Sequence, residues 1–284
     1  MRISAIIEGN LAGGFSSSRQ LPAPYVGNTL NNSWSPPALT YSTGRSFGDP
    51  IDMVKGNYLY ANDDIGVGVG SPPHALILQR AYSSGARAQA GPLGKGWSHN
   101  LASSVFVSSD GFQGMGEDSA LDAVTTLVEQ MVSFDLLSDT AKPLDKMVIA
   151  TLGQRWFGDQ LLDNTVIVRQ GLNGEVFVKL PDGTYNPPPA NSVRLIKNGD
   201  GTYTYETVNR DKLNFNSAGK IATYNHANGL QVKYTYTGDN LTQVQNSLGR
   251  TLTFTYVSGR ITAVGDGSRS IGYAYDGSGN LSTF

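Results

Sequence analysis

Apolar and polar residues alternate strictly along GRTLTFTYVSGRITAVGDGS, residues 249–268. Leu252, Phe254 and Tyr256 fall between Thr251, Thr253 and Thr255. A glycine-marked turn and a second short apolar run follow. Period two with β-branched and aromatic residues predicts a half-buried strand, so the stretch reads as strand, tight turn, strand. The flanking sequence falls into the same register: GLQVKYTYTGDNLTQVQNSL (229–248) before it, and SRSIGYAYDGSGNLSTF (268–284) after it. A fainter copy, DKLNFNSAGKIATYNHAN, occupies 211–228.

Three columns stay in step across the four copies. The aromatic closing the first strand is Phe215, Tyr236, Tyr256 and Tyr275. The aliphatic after the turn is Ile221, Leu241, Ile261 and Leu281, a spacing of twenty. Three positions further on come Tyr224, Val244, Val264 and Phe284. The turns TGDN, VSG and DGSGN carry the Gly, Asn and Asp that tolerate positive φ. A single hairpin is marginal, so the copies must stack edge to edge to bury their apolar face. Strand parity predicts that Tyr256→Ala destabilises the array by roughly 3 kcal/mol more than Thr253→Ala.

Upstream the pattern changes several times. Residues 1–47 are rich in Ser, Pro, Asn and Gly without a period and read as an irregular or disordered leader. Residues 48–113 hold short strands in DPIDMVKGNYLYANDDIGV, HALILQRAYSS and NLASSVFVSSDG. Between the last two, GPLGKGW forces a compact turn through Gly91, Pro92, Gly94 and Gly96, with Trp97 as its anchor. Over 114–163 the period becomes helical. Leu121, Val124, Leu127, Val128 and Met131 form one stripe; Pro143 then opens a second helix with Leu144, Met147, Val148 and Leu152 on one face. Trp156 and Phe157 are expected to close this helix near Gly158. The first stripe is expected to pack on the sheet, whereas a partner-binding helix requires an exposed stripe. Residues 164–210 return to strands (NTVIVRQ, GEVFVKL, SVRLIKN, TYTYETV), with PDGTYNPPPAN read as a rigid loop and NGDG as a hairpin turn. The fold expected is mainly β: tandem hairpin repeats, with an inserted helical pair.

Composition narrows the chemistry. The chain has 284 residues, 15% charged, with a net charge of −2 and no basic surplus or basic–aromatic run for nucleic acid. It has no cysteine, which removes disulfides, thiol catalysis and Cys-based zinc sites. No segment reaches the roughly 18 apolar residues of a membrane helix, and the N-terminal apolar stretch, interrupted by Glu8, is too short for a signal-peptide core. His74, His99 and His226 fall in separate segments with no metal-ligand spacing, and His99 reads as a turn-packing residue. GVGVG (66–70) lacks the Lys-Ser/Thr pair of a phosphate loop. DGSGN and NGDG lack the bidentate Glu of a calcium loop, and Asp63–Asp64 is read as a loop pair. No catalytic residue, metal site or cofactor is expected.

The repeat unit, with Tyr275-Asp276 followed by GSGNL, resembles the signature of the rearrangement-hotspot (Rhs) or YD-repeat family. The other copies depart from it at Asn216, Thr237 and Val257, where aspartate is expected. GDPIDMVKGNYLY (48–60) and GPLGKGW (91–97) are similar to the segment that precedes such arrays. The resemblance implies hairpins wound into a hollow β-shell, non-catalytic, that encloses or presents a C-terminal toxin in secretion or intercellular competition. It also implies that this chain is the N-terminal part of a longer secreted or surface protein of a bacterium. Its partners would be further repeats and that effector. Two alternatives are a cell-surface adhesin or carbohydrate-binding module using exposed tyrosines on glycans, and a hydrolase with Asp52 and His99 in its site.

Overall fold

The computed structural model describes residues 57–109, 128, 131–133, 135–136, 143–180, 182–188 and 191–284. The leader, Asp52, Leu121 and Val124 lie outside them. The described residues divide into two units, a smaller one covering 108–165 with 178–180 and a larger one covering the rest. The chain is mainly β, as the alternation predicts.

The centre of the larger unit is a nine-stranded sheet in which every strand pairs with the next in sequence. Its strands are β10 (Arg194–Lys197), β11 (Tyr203–Glu206), β12 (Lys212–Phe215), β13 (Ile221–Asn225), β14 (Gln231–Thr237), β15 (Asn240–Asn246), β16 (Thr251–Val257), β17 (Arg260–Gly265) and β18 (Ser270–Gly272). All eight pairings are antiparallel. A last hairpin joins β19 (Ala274–Tyr275) to β20 (Leu281–Thr283). One side chain in two faces the core: Leu213, Val232, Tyr234, Val244, Leu252, Phe254 and Val264 are buried, while Lys233, Thr253 and Thr255 are exposed.

The repeat columns have a common geometry. Phe215 pairs with Ile221, Tyr236 with Leu241, Tyr256 with Ile261, and Tyr275 with Leu281. In each hairpin the register slips one step before that pair, leaving Ala222, Thr242, Thr262 or Ser282 as the extra residue. A bulge at the same place in four hairpins bends each strand alike and strengthens its twist. Parity holds along the first strand of each hairpin, but burial falls off toward the turn: Tyr234 and Phe254 are buried, and Tyr236 and Tyr256, at the bulge pair, are half-buried.

The turns repeat as well. At Asn198, Thr207, Asn216, His226, Asn246 and Asp276 the residue's N–H bonds the carbonyl four residues on, and its carbonyl accepts the N–H three residues on. The fourth residue has positive φ: Gly201, Arg210, Gly219, Gly229, Gly249 or Gly279. This is the type I turn with a left-handed closing residue. An Asn or Asp at its head accepts N–H groups of its own loop, as Asn216, Asn246 and Asp276 do.

Across this sheet runs a smaller one of β1 (Leu59–Val67), β2 (Leu76–Ser83) and β5 (Trp97–His99). Ile65, Leu76, Leu78, Leu93 and Leu101 join the repeat residues in one core. β6 (Ser103–Ser108), β7 (Thr165–Gln170), β8 (Asn173–Lys179) and β9 (Tyr185–Asn186) form a four-stranded sheet. The supposed rigid loop 181–191 therefore contributes a short strand.

In the smaller unit, helix α1 runs Pro143–Leu161. It continues through Gly158 rather than closing there, since one interior glycine costs only about 1 kcal/mol. Val128 and Met131 are helical too, but exposed, contrary to the expected packing of their stripe.

Candidate functional site

Sequence features converge where segment 59–105 meets the turns of the array. In GPLGKGW, β3 (Ala90–Gly91) and β4 (Gly94–Lys95) close a two-residue hairpin at Pro92–Leu93, and Leu93 is fully buried. The Pro92 carbonyl accepts the Ile261 N–H at 2.9 Å, and the Lys95 N–H donates to the Gly279 carbonyl at 3.4 Å. Tyr275 Oη donates to the Ile261 carbonyl at 2.5 Å. The turn thus joins the third and fourth repeats. Three glycines permit this approach. A Cβ on Gly91 would fall 2.2 Å from the Trp97 carbonyl, and one on Gly94 would fall 3.0 Å from the Leu281 nitrogen. Gly96 has φ +76 against the Tyr82 ring. Trp97 packs on Tyr82 with ring centres 5.2 Å apart and meets Tyr60 edge-on at 6.0 Å.

Further pins fasten both ends of the seam. Asn246, nearly fully buried, donates to the Pro73 and His74 carbonyls at 2.9 Å each, and Arg250 Nη1 also donates to the latter. Arg269 Nη2 donates to the Gly66 carbonyl at 2.7 Å. The Val105 N–H bonds the Gly219 carbonyl at 2.7 Å.

Beneath the seam lies a buried polar group that the sequence did not announce. Asp63–Asp64 sits in β1 at a bulge, not in a loop. That bulge sends the fully buried Asp64 toward the fully buried Arg80, Nε to Oδ1 3.1 Å. Tyr273 Oη donates to Asp64 Oδ2 at 2.7 Å and Asn62 Nδ2 to Oδ1 at 3.0 Å. Arg80 Nη1 and Nη2 have no acceptor among the described residues; the guanidinium lies between Trp97 and Phe284. Neutralised by Asp64, Arg80 ties β2 to β1 and, through Tyr273, to the array. Burial also lifts the Tyr273 hydroxyl well above its ordinary range, with the bond to Asp64 adding to the effect.

His99 is a core residue of β5, stacked on Phe254 at 5.9 Å, rather than a turn residue. Desolvation lowers its pKa to about 4, so it is neutral at physiological pH. His74 contributes its carbonyl to the seam, and His226 heads a repeat turn. Among the described residues no three His, Asp or Glu side chains come together as a metal site. No helix among them is long and apolar enough to cross a membrane.

A cleft of about 1070 Å³ opens beside the seam, walled by Trp97, Tyr236, Tyr256, Arg169, Lys220 and Asp239. Lys220 Nζ pairs with Asp239 at 2.6 Å and lies 5.4 Å from the Tyr236 ring centre. Burial raises the Tyr256 hydroxyl to about 12, which leaves it a neutral hydrogen-bonding group. Rings, amides and a neutralised ion pair suit binding.

No curated protein matches the chain. Residues 48–121 match DUF6531, a domain of unknown function, and that span contains the whole 59–105 half of the seam.

Proposed function

We propose that the chain is the opening wall of an Rhs/YD-repeat β-shell. It would be a non-catalytic scaffold that encloses or presents a C-terminal effector of the same polypeptide during secretion or intercellular competition. The observation that carries this reading is the four-fold recurrence of one bulged hairpin, three times in a continuous meander and once in the hairpin that follows it, clamped by the 91–97 turn. Identical bulges impose the same bend at every step, and a sheet that bends alike at every step curls. The clamp fixes the first hairpins against segment 59–105, so later ones have a rigid edge on which to build.

The test is protease protection of the full gene product. An effector enclosed by the wall survives digestion, and loses that protection when Gly94→Val opens the seam. Equal digestion in both proteins, or a gene product that ends at Phe284, refutes the reading.

The cleft favours one second reading, a carbohydrate-binding surface. Trp97, Tyr236 and Tyr256 offer the faces on which sugar rings stack. A glycan array on which Tyr236→Ser and wild type give the same pattern, or neither binds, refutes it.

A further inference from the structure

One face of helix α1 turns four large apolar side chains outward. Leu144, Met147, Val148 and Leu152 are 64%, 61%, 48% and 43% exposed. Their spacing of i, i+3, i+4 and i+8 places them on one face. The half-buried positions of the helix are Lys146, Ile149 and Gly153, on its opposite side. Nothing among the described residues covers the apolar stripe. Val128, Met131 and Val132, on an earlier helical stretch, are exposed too.

Two exposed charges bracket the stripe. Asp145 lies at its N-terminal end, and Arg155, seven residues after Val148 and so two turns along the same line, at its C-terminal end. Neither has a salt-bridge partner among the described residues. Their midpoint is position 150, which is also the midpoint of Val148 and Leu152. If a second copy of the helix lies antiparallel about a two-fold axis at position 150, two matches follow together. Val148 meets the partner's Leu152, and Asp145 meets the partner's Arg155. Both recur by symmetry, as an isologous contact requires. The reversed orientation sets unlike charges in contact at both ends, whereas a parallel pairing would set like against like.

We propose that this stripe is a self-association surface through which two copies of the chain pair by an antiparallel α1–α1 contact. The proposal is independent of the shell reading. An apolar strip of four residues per copy is small for an interface, so the dimer is a reversible one.

The test is sedimentation velocity on the full chain over a range of concentrations. All substituted positions are exposed, so the variants keep the fold, which far-UV circular dichroism checks. Wild type is expected to shift from monomer to dimer with concentration. Asp145→Arg alone and Arg155→Asp alone should each weaken dimerisation by about ten-fold or more, and the double swap should restore it to within about three-fold. Val148→Asp should abolish it. A wild type that stays monomeric overturns the proposal. So does a dimer indifferent to the single swaps, which would point to the strand edges instead, or a double swap that fails to recover.

Discussion

Three turn glycines share a left-handed backbone and differ in what a methyl group would meet, so alanine at each separates backbone strain from seam contact. Gly259 (φ +77) has nothing within 4 Å of a built Cβ. Gly94 (φ +97) would place it 3.0 Å from the Leu281 nitrogen and 3.1 Å from the Gly279 carbonyl. Gly219 (φ +75) would place it 1.9 Å from the Val105 carbonyl, a backbone atom that cannot rotate away. The left-handed conformation costs an alanine about 1 kcal/mol at all three. Gly259→Ala should cost little more than that. Gly94→Ala adds about 1 kcal/mol of overpacking, for roughly 2 in all. Gly219→Ala must push the facing backbones more than an ångström apart and break the 2.7 Å bond from the Val105 N–H, adding about 2 to 3 kcal/mol. At about 2 to 4 °C per kcal/mol, calorimetric Tm values should fall in the order Gly259, Gly94, Gly219, with about 4 to 12 °C between first and last. Equal losses at Gly219 and Gly259 would show that segment 59–105 does not rest on the repeat turns.

Phe254→Ala should cost about 3 to 4 kcal/mol and Thr253→Ala less than about 0.5, with Tyr256→Ala between them because its ring is only half-buried. Equal melting shifts for Phe254→Ala and Thr253→Ala would mean the register is wrong. Asn246→Ala loses two seam bonds and two loop bonds, whereas Asn228→Ala loses one exposed bond, so denaturant titration should show a difference of about 2 kcal/mol. Burial holds the Glu175 carboxyl above its usual range, against the opposing bonds from Tyr205 and Asn191. The folded state therefore keeps this proton more readily than the unfolded chain. Glu175's contribution is most favourable at pH below the ordinary carboxylate value and declines as pH rises through its raised folded value. Glu175→Gln should remove that decline and melt higher than wild type at pH 7; an unchanged pH profile would sink the assignment.

The array was legible because it obeys local rules. Alternation, turn residues and a twenty-residue spacing are written into the chain, and the paired columns Tyr236–Leu241 and Tyr256–Ile261 follow from them. The bulges were not legible, because an extra residue such as Thr242 looks like any strand residue until its partner strand is known. Nor does a count of two tell how deeply Tyr236 and Tyr256 are buried: they keep the core-facing parity but are only half-buried beside the cleft. The turn heads were half visible: NGDG and DGSGN read as turns, but the shared position of Asn198, Asn216, Asn246 and Asp276 needed the hydrogen bonds. Asp64 and Arg80 were hidden for a different reason. They are sixteen residues apart on strands whose pairing is set by a bulge, and Tyr273 reaches them from the far end of the sequence.

The outward stripe of α1 inverts the usual inference from periodicity. A 3.6-residue period says which side chains share a face and nothing about what covers it, although apolar faces in most folded chains are covered. Here the half-buried side of the helix contains Lys146, Ile149 and Gly153, and no described residue covers the stripe of Leu144, Met147, Val148 and Leu152. Helix and array thus stand in opposite relations to their sequence patterns. In the array, each apolar column is matched by the next copy and by segment 59–105, so its pattern is satisfied within one chain. In α1 no described residue covers the four apolar side chains, and the bracketing charges are complementary to their own two-fold image. Period alone does not tell a stripe that is covered from one that is open; the fold does.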